Sequence, residues 1–414
     1  MNTSPAGIIV AGVTVLDLIP TFLENDQASI PLIQNRAFLT PGQLVSCGPA
    51  RVATGGAAPN TGLALNRLGF PVRLAGRVGD DLFGKIILDS LASRSPELAR
   101  NMVVSPGETT SYAMVINPPG FDRAFLYCSG ANDTFSARDV HFDRLADARL
   151  FHFGYLNVMP RMYQDQGKEL QSLYRQARSA GLVTSLDIAF PDLNSQAFKE
   201  DWPAIFSRVL PEVDIFIPSF NESLVLLDRQ TYDQLIEQAG QRKDSLGGIL
   251  SGVDGGLLTL LGERLVSMGA AVVGLKLGDQ GLYLRTTGQR DRLERIAGRL
   301  PVDPEQWANR ELLTPCFKVK VAGTVGAGDC TIAGFLAGVS FGQAPEAAMT
   351  SAVAVGACSV EAADATSGIP GWDEVQARIG RGWARLPMGL ALPGWEWDPA
   401  AQVWVGPHDA SRQG

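Results

Sequence analysis

The chain has 414 residues, of which 45% are hydrophobic and 19% are charged, and its formal net charge is -8. This composition is typical of a soluble globular protein with a large core, and it excludes disorder for most of the chain. The acidic balance argues against nucleic acid or an anionic membrane as the main partner, because both attract a basic face. No apolar run is long enough to span a bilayer, so we expect no membrane segment.

The five cysteines are scattered along the chain, and they form no CxxC pair and no ligand spacing with the three histidines. This pattern argues against a disulfide framework and against a structural zinc site. We therefore expect the protein to reside in a reducing cytoplasm.

Short apolar runs rich in β-forming residues alternate with helical stretches, which predicts an α/β fold with a mostly parallel sheet covered by helices. The predicted core strands are, in chain order, Ile8–Leu16, Val72–Ala75, Leu150–Gly154, Val183–Asp187, Asp214–Ile217 and Ala271–Leu275. A helix is predicted at Ala58–Leu68, where Gly69 provides a left-handed cap, and another at Ala327–Val339.

Two segments, at about 18–54 and 108–131, interrupt this alternation with short alternating strands. They predict a small β-sheet set apart from the main one, of the kind that covers a site or pairs with a partner. The stretch Thr286–Pro315 is long for a connection, so we interpret it as an insertion. We expect residues 1–395 to form one domain and residues 396–414 a peripheral tail.

The strongest local signal is the segment Gly323–Asp329 (GTVGAGD), which follows a strand-like run at Phe317–Val321 and opens a helix. Small residues at a helix start let backbone N–H groups face a ligand, and the helix dipole favours an anion there. The segment is not a Walker A loop, because Asp329 and Cys330 stand where that loop has Lys and Ser or Thr. We interpret Asp329 as a general base for phosphoryl transfer. The alternative is a glycine-rich helix start that Asp merely caps.

A second signal is Gly55-Gly56 followed by Asn60 at the start of the first predicted helix. Paired glycines permit close approach of a ligand, and Asn60 offers both a donor and an acceptor to hydroxyl groups. Asp17, which follows the first strand-like run, suits the recognition of two sugar hydroxyls. A tight turn with a capping Asn, and an ordinary surface Asp, are equally good readings of these residues in isolation.

In combination and in this order, the motifs resemble those of the ribokinase-like (PfkB) carbohydrate kinase family. The segments that carry the resemblance are Gly55–Asn60, Gly76–Gly84, Ser129–Asn132, Lys276–Gly281 and Gly326–Asp329. The resemblance implies a three-layer α/β/α domain with a small β-sheet lid, to which the two interrupting segments would correspond. It also implies ATP-dependent phosphorylation of a hydroxymethyl group on a sugar or a nucleoside, and for some members a homodimer formed through the lid.

The resemblance further implies a role for each matching residue. Asp329 would be the catalytic base, and Gly326, Ala327 and Gly328 would form the anion hole. The residues that would hold the sugar are Asp17, Gly55, Gly56, Asn60 and Asn132. The residues that would contact ATP are Lys276, Gly278, Gly281 and Thr324, and Glu222 would bind Mg²⁺.

Two departures from the family pattern affect its cations. The family usually has Asp where Gly323 stands, and that Asp helps to form a monovalent-cation site, so potassium activation is an open question. The family's Asn-x-x-Glu motif occurs here as Ser219–Glu222, which keeps the carboxylate and loses the amide. Because Mg²⁺ is commonly held by one or two carboxylates with water and phosphate, we expect Glu222 to suffice.

Two alternatives to a sugar kinase remain open. A nucleoside kinase is suggested by aromatic residues of the lid that are able to stack on a base, namely Phe38, Tyr112, Phe125 and Tyr127. Aromatic residues of strands are also common packing residues. A non-catalytic sugar- or nucleotide-binding protein on the same fold is suggested by the departures at Gly323 and Ser219.

Overall fold

The computed structural model describes residues 6–21, 44, 46–116, 124–142, 147–239 and 247–412. Its strands, in chain order, are β1 (Gly7–Gly12), β2 (Val15–Thr21), β3 (Gly48–Gly55), β4 (Val72–Ala75), β5 (Arg77–Gly79), β6 (Val103–Ser105), β7 (Tyr112–Ile116), β8 (Ala124–Cys128), β9 (Ala148–Gly154), β10 (Val183–Leu186), β11 (Ile215–Phe216), β12 (Val272–Lys276), β13 (Leu282–Thr286), β14 (Glu311–Thr314), β15 (Glu396–Asp398) and β16 (Val403–Val405).

The α-helices, in chain order, are α1 (Ala57–Arg67), α2 (Leu82–Arg94), α3 (Pro96–Ala99), α4 (Pro160–Ser179, interrupted by non-helical backbone at 164–167), α5 (Trp202–Val209), α6 (Phe220–Leu227), α7 (Arg229–Gln238), α8 (Gly247–Leu250), α9 (Gly255–Ser267), α10 (Arg290–Ala297), α11 (Pro304–Trp307), α12 (Ala327–Ser340), α13 (Pro345–Val360) and α14 (Trp372–Gly380). Within the described ranges, none of these helices is long and apolar enough to cross a membrane.

The main sheet has the strand order β15-β16-β14-β13-β12-β11-β10-β9-β1-β4 among the described residues. Six neighbouring strands of this sheet are parallel, namely β4, β1, β9, β10, β11 and β12. The remaining strands, β13, β14, β16 and β15, are antiparallel to their neighbours. One apolar cluster packs α4, α5, α6 and α9 on one face of this sheet, and a second packs α1, α2, α12 and α13 on the other. The predicted three-layer α/β/α class is therefore confirmed.

The first predicted strand, Ile8–Leu16, is in fact two strands that belong to different sheets. Gly12 has a φ of 127°, a conformation that only glycine adopts readily. A side chain at this position would collide with the carbonyl of Gly154 on the neighbouring strand. The chain therefore leaves the main sheet after β1 and enters the lid as β2.

A separate sheet of order β3-β2-β7-β8 forms the lid, as the two interrupting segments predicted. β2 pairs antiparallel with β3 and parallel with β7. The predicted lid segments also include residues 22–43, 45 and 117–123, which lie outside the described residues.

Two expectations about the C-terminal half were wrong, namely a strand at Phe317–Val321 and a peripheral tail at 396–414. In the first of these segments, Phe317 makes only an isolated bridge, to Arg385. The stretch Thr286–Pro315, which we interpret as an insertion, contains α10, α11 and β14, and β14 belongs to the main sheet. The tail at 396–414 is not set apart, because β15 and β16 extend the main sheet and buried Asp409 accepts from the backbone N–H of Glu311.

Candidate active site

The start of helix α12 places the glycine-rich segment at the carboxyl ends of the parallel strands. Gly326 has a φ of 69° and precedes the first helical residue, and a side chain there would press against Ala365. The first N–H groups of a helix have no acceptor within the helix. Of the predicted anion-hole groups, the N–H of Ala327 makes a long bond of 3.3 Å to the Thr324 carbonyl. Gly326 and Gly328 lie on either side of it.

Asp329 lies in the first turn of α12 with only 2% of its surface exposed. Its Oδ2 accepts hydrogen bonds from the Asn60 side-chain amide at 2.9 Å and from the Tyr155 hydroxyl at 3.0 Å. Its Oδ1 is buried and has no hydrogen-bond partner. Because a buried oxygen without a partner is costly, this atom is ready to accept from a ligand hydroxyl.

Burial is the main influence on the ionisation of Asp329. Together with the charge of Asp187, it raises the pKa of the carboxyl from 3.8 to about 7. The hydrogen bonds from Asn60 and Tyr155 and the charge of Lys276 lower the pKa against these effects. A carboxyl that titrates near neutral pH is suited to accept a proton and to release it again.

The paired glycines bring β3, α1 and the lid strand β2 together. Gly56 has a φ of 88°, and a side chain there would collide with the Val13 carbonyl. A side chain at Gly55 would collide with the carboxylate of Asp17, which is 9% exposed. A Cβ built at Gly326 would lie 3.4 Å from the Asn60 amide nitrogen. The predicted sugar residues therefore meet the predicted catalytic loop.

Lys276 lies at the end of β12, beneath the start of α12. Its ammonium group donates to Asp187 Oδ1 at 2.7 Å and to the Ile217 carbonyl at 2.8 Å. A Cβ built at Gly328 would lie 3.5 Å from the Lys276 Cε. Burial lowers the pKa of this ammonium group, but the nearby carboxylates of Asp187 and Glu222 raise it above its ordinary value on balance. The site therefore contains a fixed positive charge close to the helix N-terminus.

Gly278 and Gly281 form the turn between β12 and β13. A side chain at Gly281 would collide with the Thr314 carbonyl, so the packing of this turn requires glycine at this position. Gly278 has open space, with only Leu250 Cδ1 at 4.0 Å from a built Cβ. The Cys316 thiol donates to the Gly278 carbonyl at 3.3 Å. Thr324 is exposed at the mouth of the glycine-rich loop.

Glu222 is partly buried at the start of α6, where it takes part in a capping box. Its Oε2 accepts from the Ser219 backbone N–H at 2.6 Å, and the Ser219 side chain caps the helix in return. Burial raises the pKa of Glu222 to about 7, although Lys276 opposes this. The departure from Asn to Ser at position 219 therefore has a structural explanation, since Ser is a favoured N-cap.

The side chain of Asn132 is hydrogen-bonded to the backbone of Thr14. This side chain is fully buried, donates to the Thr14 carbonyl at 3.0 Å and accepts from the Thr14 N–H at 3.2 Å. Thr14 lies in the short link between β1 and β2. Asn132 therefore fixes the passage from the main sheet to the lid, and its expected contact with the sugar stays a prediction.

Two residues of this site, Tyr155 and Asp187, were not among the predicted site residues. Asp187 ends the predicted strand Val183–Asp187, and carboxylates at the carboxyl ends of parallel strands commonly face the site, so this signal was available. Tyr155 follows β9 and matches no motif, so nothing in the sequence distinguished it from a core aromatic residue. Its role becomes visible only from its contact with Asp329.

The lid aromatic residues give weak support to base stacking. Tyr112 packs edge-on against Phe83, with ring centroids 5.6 Å apart. Phe125 and Tyr127 lie on the edge strand β8, with 53% and 44% of their surfaces exposed. Phe38 lies outside the described residues.

Comparison with known families gives a match over most of the chain. The model for the pfkB family carbohydrate kinases matches residues 25–372. The chain belongs to this family. A fructokinase-2 from Oryza sativa subsp. japonica is 23% identical over 185 residues, or 44% of this chain and 49% of the relative. An uncharacterized sugar kinase from Archaeoglobus fulgidus is 23% identical over 308 residues, or 74% of this chain and 98% of the relative. The chain thus spans about half the length of the fructokinases that it matches.

Solved structures share the fold. A putative ribokinase II from E. coli in its apo form has a TM-score of 0.63 at 20% identity, covering 91% of this chain and 99% of that one. A fructokinase from Xylella fastidiosa with bound ATP has a TM-score of 0.62 at 20% identity, covering 91% and 98%. This likeness supports the ribokinase-like fold of the family member described here.

Proposed function

We propose that this protein transfers the γ-phosphoryl group of ATP to a hydroxymethyl group of a sugar. The observation that carries the proposal is the carboxylate of Asp329, which is buried at the N-terminus of α12 with Oδ1 lacking a partner. Family membership supports the reaction class, and relatives named fructokinase support a sugar acceptor. The relative from Archaeoglobus fulgidus, which is named an uncharacterized sugar kinase, gives the same support.

The proton leaves the sugar hydroxyl as the phosphoryl group moves. In the proposed step, the hydroxyl donates its proton to Oδ1 of Asp329, its oxygen bonds to the γ-phosphorus, and the bond from phosphorus to the ADP oxygen breaks. Because the pKa of Asp329 is raised to about 7 by burial, the carboxylate form needed for this step becomes more abundant as the pH rises through 7.

Charge on the transferring group would be met by the start of α12. The backbone of Gly326, Ala327 and Gly328 lies at the positive end of the helix dipole. The Lys276 ammonium adds a fixed positive charge beneath Gly328. Such preorganised donors stabilise a developing anion without reorganisation during the reaction.

The sugar is proposed to lie between the lid and α1. Asp17 would accept from two hydroxyls, and Gly55 and Gly56 let the backbone pack closely here, because a side chain at either position would collide with Asp17 or Val13. Asn60 has a second task, because its amide also donates to Asp329.

ATP would lie along the β12–β13 turn, where Gly278 leaves open space and Gly281 and Thr324 flank the path to the helix N-terminus. The described residues contain no cluster of three or more His, Cys, Asp or Glu side chains suited to a metal. A single carboxylate fits Mg²⁺, which usually keeps several waters and binds phosphate oxygens. We propose that Glu222 holds the ion, which would neutralise phosphate charge.

The lid offers a surface for a homodimer. Its two edge strands expose apolar side chains, with Val52 on β3 at 51% and Leu126 on β8 at 53%. Light scattering of the wild type and of Leu126→Glu tests this assignment, with a dimer expected for the first and a monomer for the second. A wild-type monomer at assay concentration would contradict it.

A reducing compartment such as the cytoplasm is the proposed location. None of the five cysteines, all of which lie in the described part of the chain, forms a disulfide, and Cys330 and Cys358 are buried. Free buried thiols are ordinary in reducing compartments. Immunolocalisation or fractionation of the native source checks this location, and recovery outside the cytoplasm would contradict it.

The reaction is tested by following ADP release from ATP and Mg²⁺ over a panel of free sugars, sugar phosphates and nucleosides. We expect one sugar to give a strong signal that Asp329→Asn lacks. A response confined to nucleosides would support the alternative acceptor. Bound ATP with no response anywhere on the panel would support a non-catalytic binding protein.

A further inference from the structure

Tyr155 occupies a backbone conformation that is unusual for its residue type. Its φ is 66° and its ψ is 40°, in the left-handed region. This region is unfavourable for a non-glycine residue, and residues held in it cluster at functional sites. Its backbone N–H donates to the Asp187 carbonyl at 3.1 Å, and its carbonyl accepts from the Val158 N–H at 3.2 Å. Two backbone bonds therefore hold the strained residue in place.

The strained backbone directs the Tyr155 hydroxyl at the base. The hydroxyl lies 3.0 Å from Oδ2 of Asp329, and the side-chain amide of Asn60 on helix α1 donates to the same oxygen. Oδ2 thus has two donors, whereas Oδ1 has none. This asymmetry orients the carboxylate and leaves one defined oxygen for the substrate.

The Tyr155 hydroxyl remains a donor at neutral pH. Burial raises its pKa well above 10, and the charges of Asp329, Asp187 and Glu222 raise it further. It is therefore unsuited to be the base itself. Its bond to Oδ2 favours the ionised form of the carboxyl, because the hydroxyl donates to the charged oxygen.

We propose that Tyr155 is a positioning residue for the phosphoryl-transfer reaction, acting with Asn60 to hold Oδ2 of Asp329 so that Oδ1 receives the substrate proton. This inference rests on the proposed function. The charged groups that face Asp329 from the packed elements are Asp187 after β10 and Lys276 on β12, and Asn60 faces it from α1. Both charges remain in place when only the Tyr155 hydroxyl is removed.

The test compares Tyr155→Phe with Tyr163→Phe. Both changes remove one hydroxyl, and Tyr163 is a 4% exposed residue of α4 that packs against Trp202 rather than against the site. The first readout is ¹³C NMR titration of Asp-labelled protein, in which the Asp329 signal is identified by its loss in Asp329→Asn. We expect the midpoint for Asp329 to rise by about half a pH unit or more in Tyr155→Phe and to stay unchanged in Tyr163→Phe.

The second readout is sugar kinetics at pH 6.5. We expect kcat to fall about tenfold in Tyr155→Phe, with KM for the sugar within about twofold of wild type. An unmoved Asp329 titration would overturn the proposal, as would a raised KM with unchanged kcat, which would make Tyr155 a substrate contact. If no sugar is turned over by wild type, the proposed function fails, but the titration still decides whether Tyr155 controls Asp329. Equal thermal unfolding midpoints of the two variants would show that both are folded.

Discussion

The Asn60 amide nitrogen lies 2.9 Å from Oδ2 of Asp329, although 269 positions separate the two residues in the chain. The sequence motifs assigned one of these residues to the sugar and the other to proton transfer. Their contact means that the residue proposed to bind the sugar also orients the proposed base at the start of α12. The residue proposed to bind the sugar and the proposed base are therefore linked by a direct hydrogen bond.

Loss of the Asn60 donor should impair the chemical step more than binding alone would explain. Asn60→Ala removes a hydrogen bond to the charged form of Asp329, and such bonds contribute about 1.5–3 kcal/mol. We expect kcat to fall at least about tenfold at pH 7 and its acid limb to move to higher pH. Asn66→Ala, on the same helix, is the matched control. A change in KM with kcat and pH profile unaltered would make Asn60 a sugar ligand only.

The ion pair between Lys276 and Asp187 should matter for stability, because the Asp187 carboxyl is 1% exposed. Lys276→Met leaves this buried carboxylate without its 2.7 Å partner, and such losses cost about 3–5 kcal/mol. Urea unfolding at pH 7.5 measures the effect.

Lys168→Met is the control for this substitution. Lys168 pairs with Asp165 at 2.9 Å, but both side chains are mostly exposed, at 57% and 72%. Exposed pairs contribute less than about 1 kcal/mol. Equal free energies of unfolding for the two variants would contradict the assignment of a buried pair.

The sequence alone predicted much of the scaffold. The strand predicted at Val72–Ala75 coincides with β4, in which every residue except the partly buried Arg73 is buried, as expected for a strand covered on both faces of the sheet. The predicted helix ends at Leu68 and Val339 each lie within one residue of the described helix ends, since glycines close both helices. The Gly326–Asp329 segment was also predicted to open a helix, with Asp329 interpreted as a general base.

What the sequence could not provide was long-range placement. Tyr155 reaches Asp329 only because the chain turns through a left-handed residue after β9, and no periodicity encodes that turn. Asn132 matches a family segment, yet its amide is bonded to the Thr14 backbone. The tail strands β15 and β16 have three residues each, too few to show an alternating pattern.

Asp329 should make the folded protein less stable as the pH rises. Burial raises its pKa from 3.8 to about 7, so the folded state holds a proton that the unfolded state has lost between these values. The stability present below pH 4 is therefore lost progressively up to about pH 7, by at most about 4 kcal/mol. We expect Asp329→Asn to be more stable than wild type at pH 8, with the difference shrinking towards pH 4. Thermal unfolding across this range measures it, and a difference independent of pH would contradict it.

Potassium should have little effect on turnover. Gly323 supplies no carboxylate, and a Cβ built there would lie only 3.0 Å from the Ala362 and Ala363 carbonyls. We expect rates in potassium, sodium and choline chloride at equal ionic strength to agree within about twofold. A large and saturable activation by potassium alone would show that backbone oxygens suffice for a cation site.

Asp329 is proposed to take the proton of a sugar hydroxyl during phosphoryl transfer from ATP. Single-turnover phosphorylation of the sugar found in the ADP-release screen, by wild type and by Asp329→Asn, tests this role alongside calorimetric binding of the same sugar. We expect Asp329→Asn to bind the sugar with near-wild-type affinity and to phosphorylate it at least about 100-fold more slowly, because it lacks the general base. Phosphorylation by Asp329→Asn at close to the wild-type rate would contradict it.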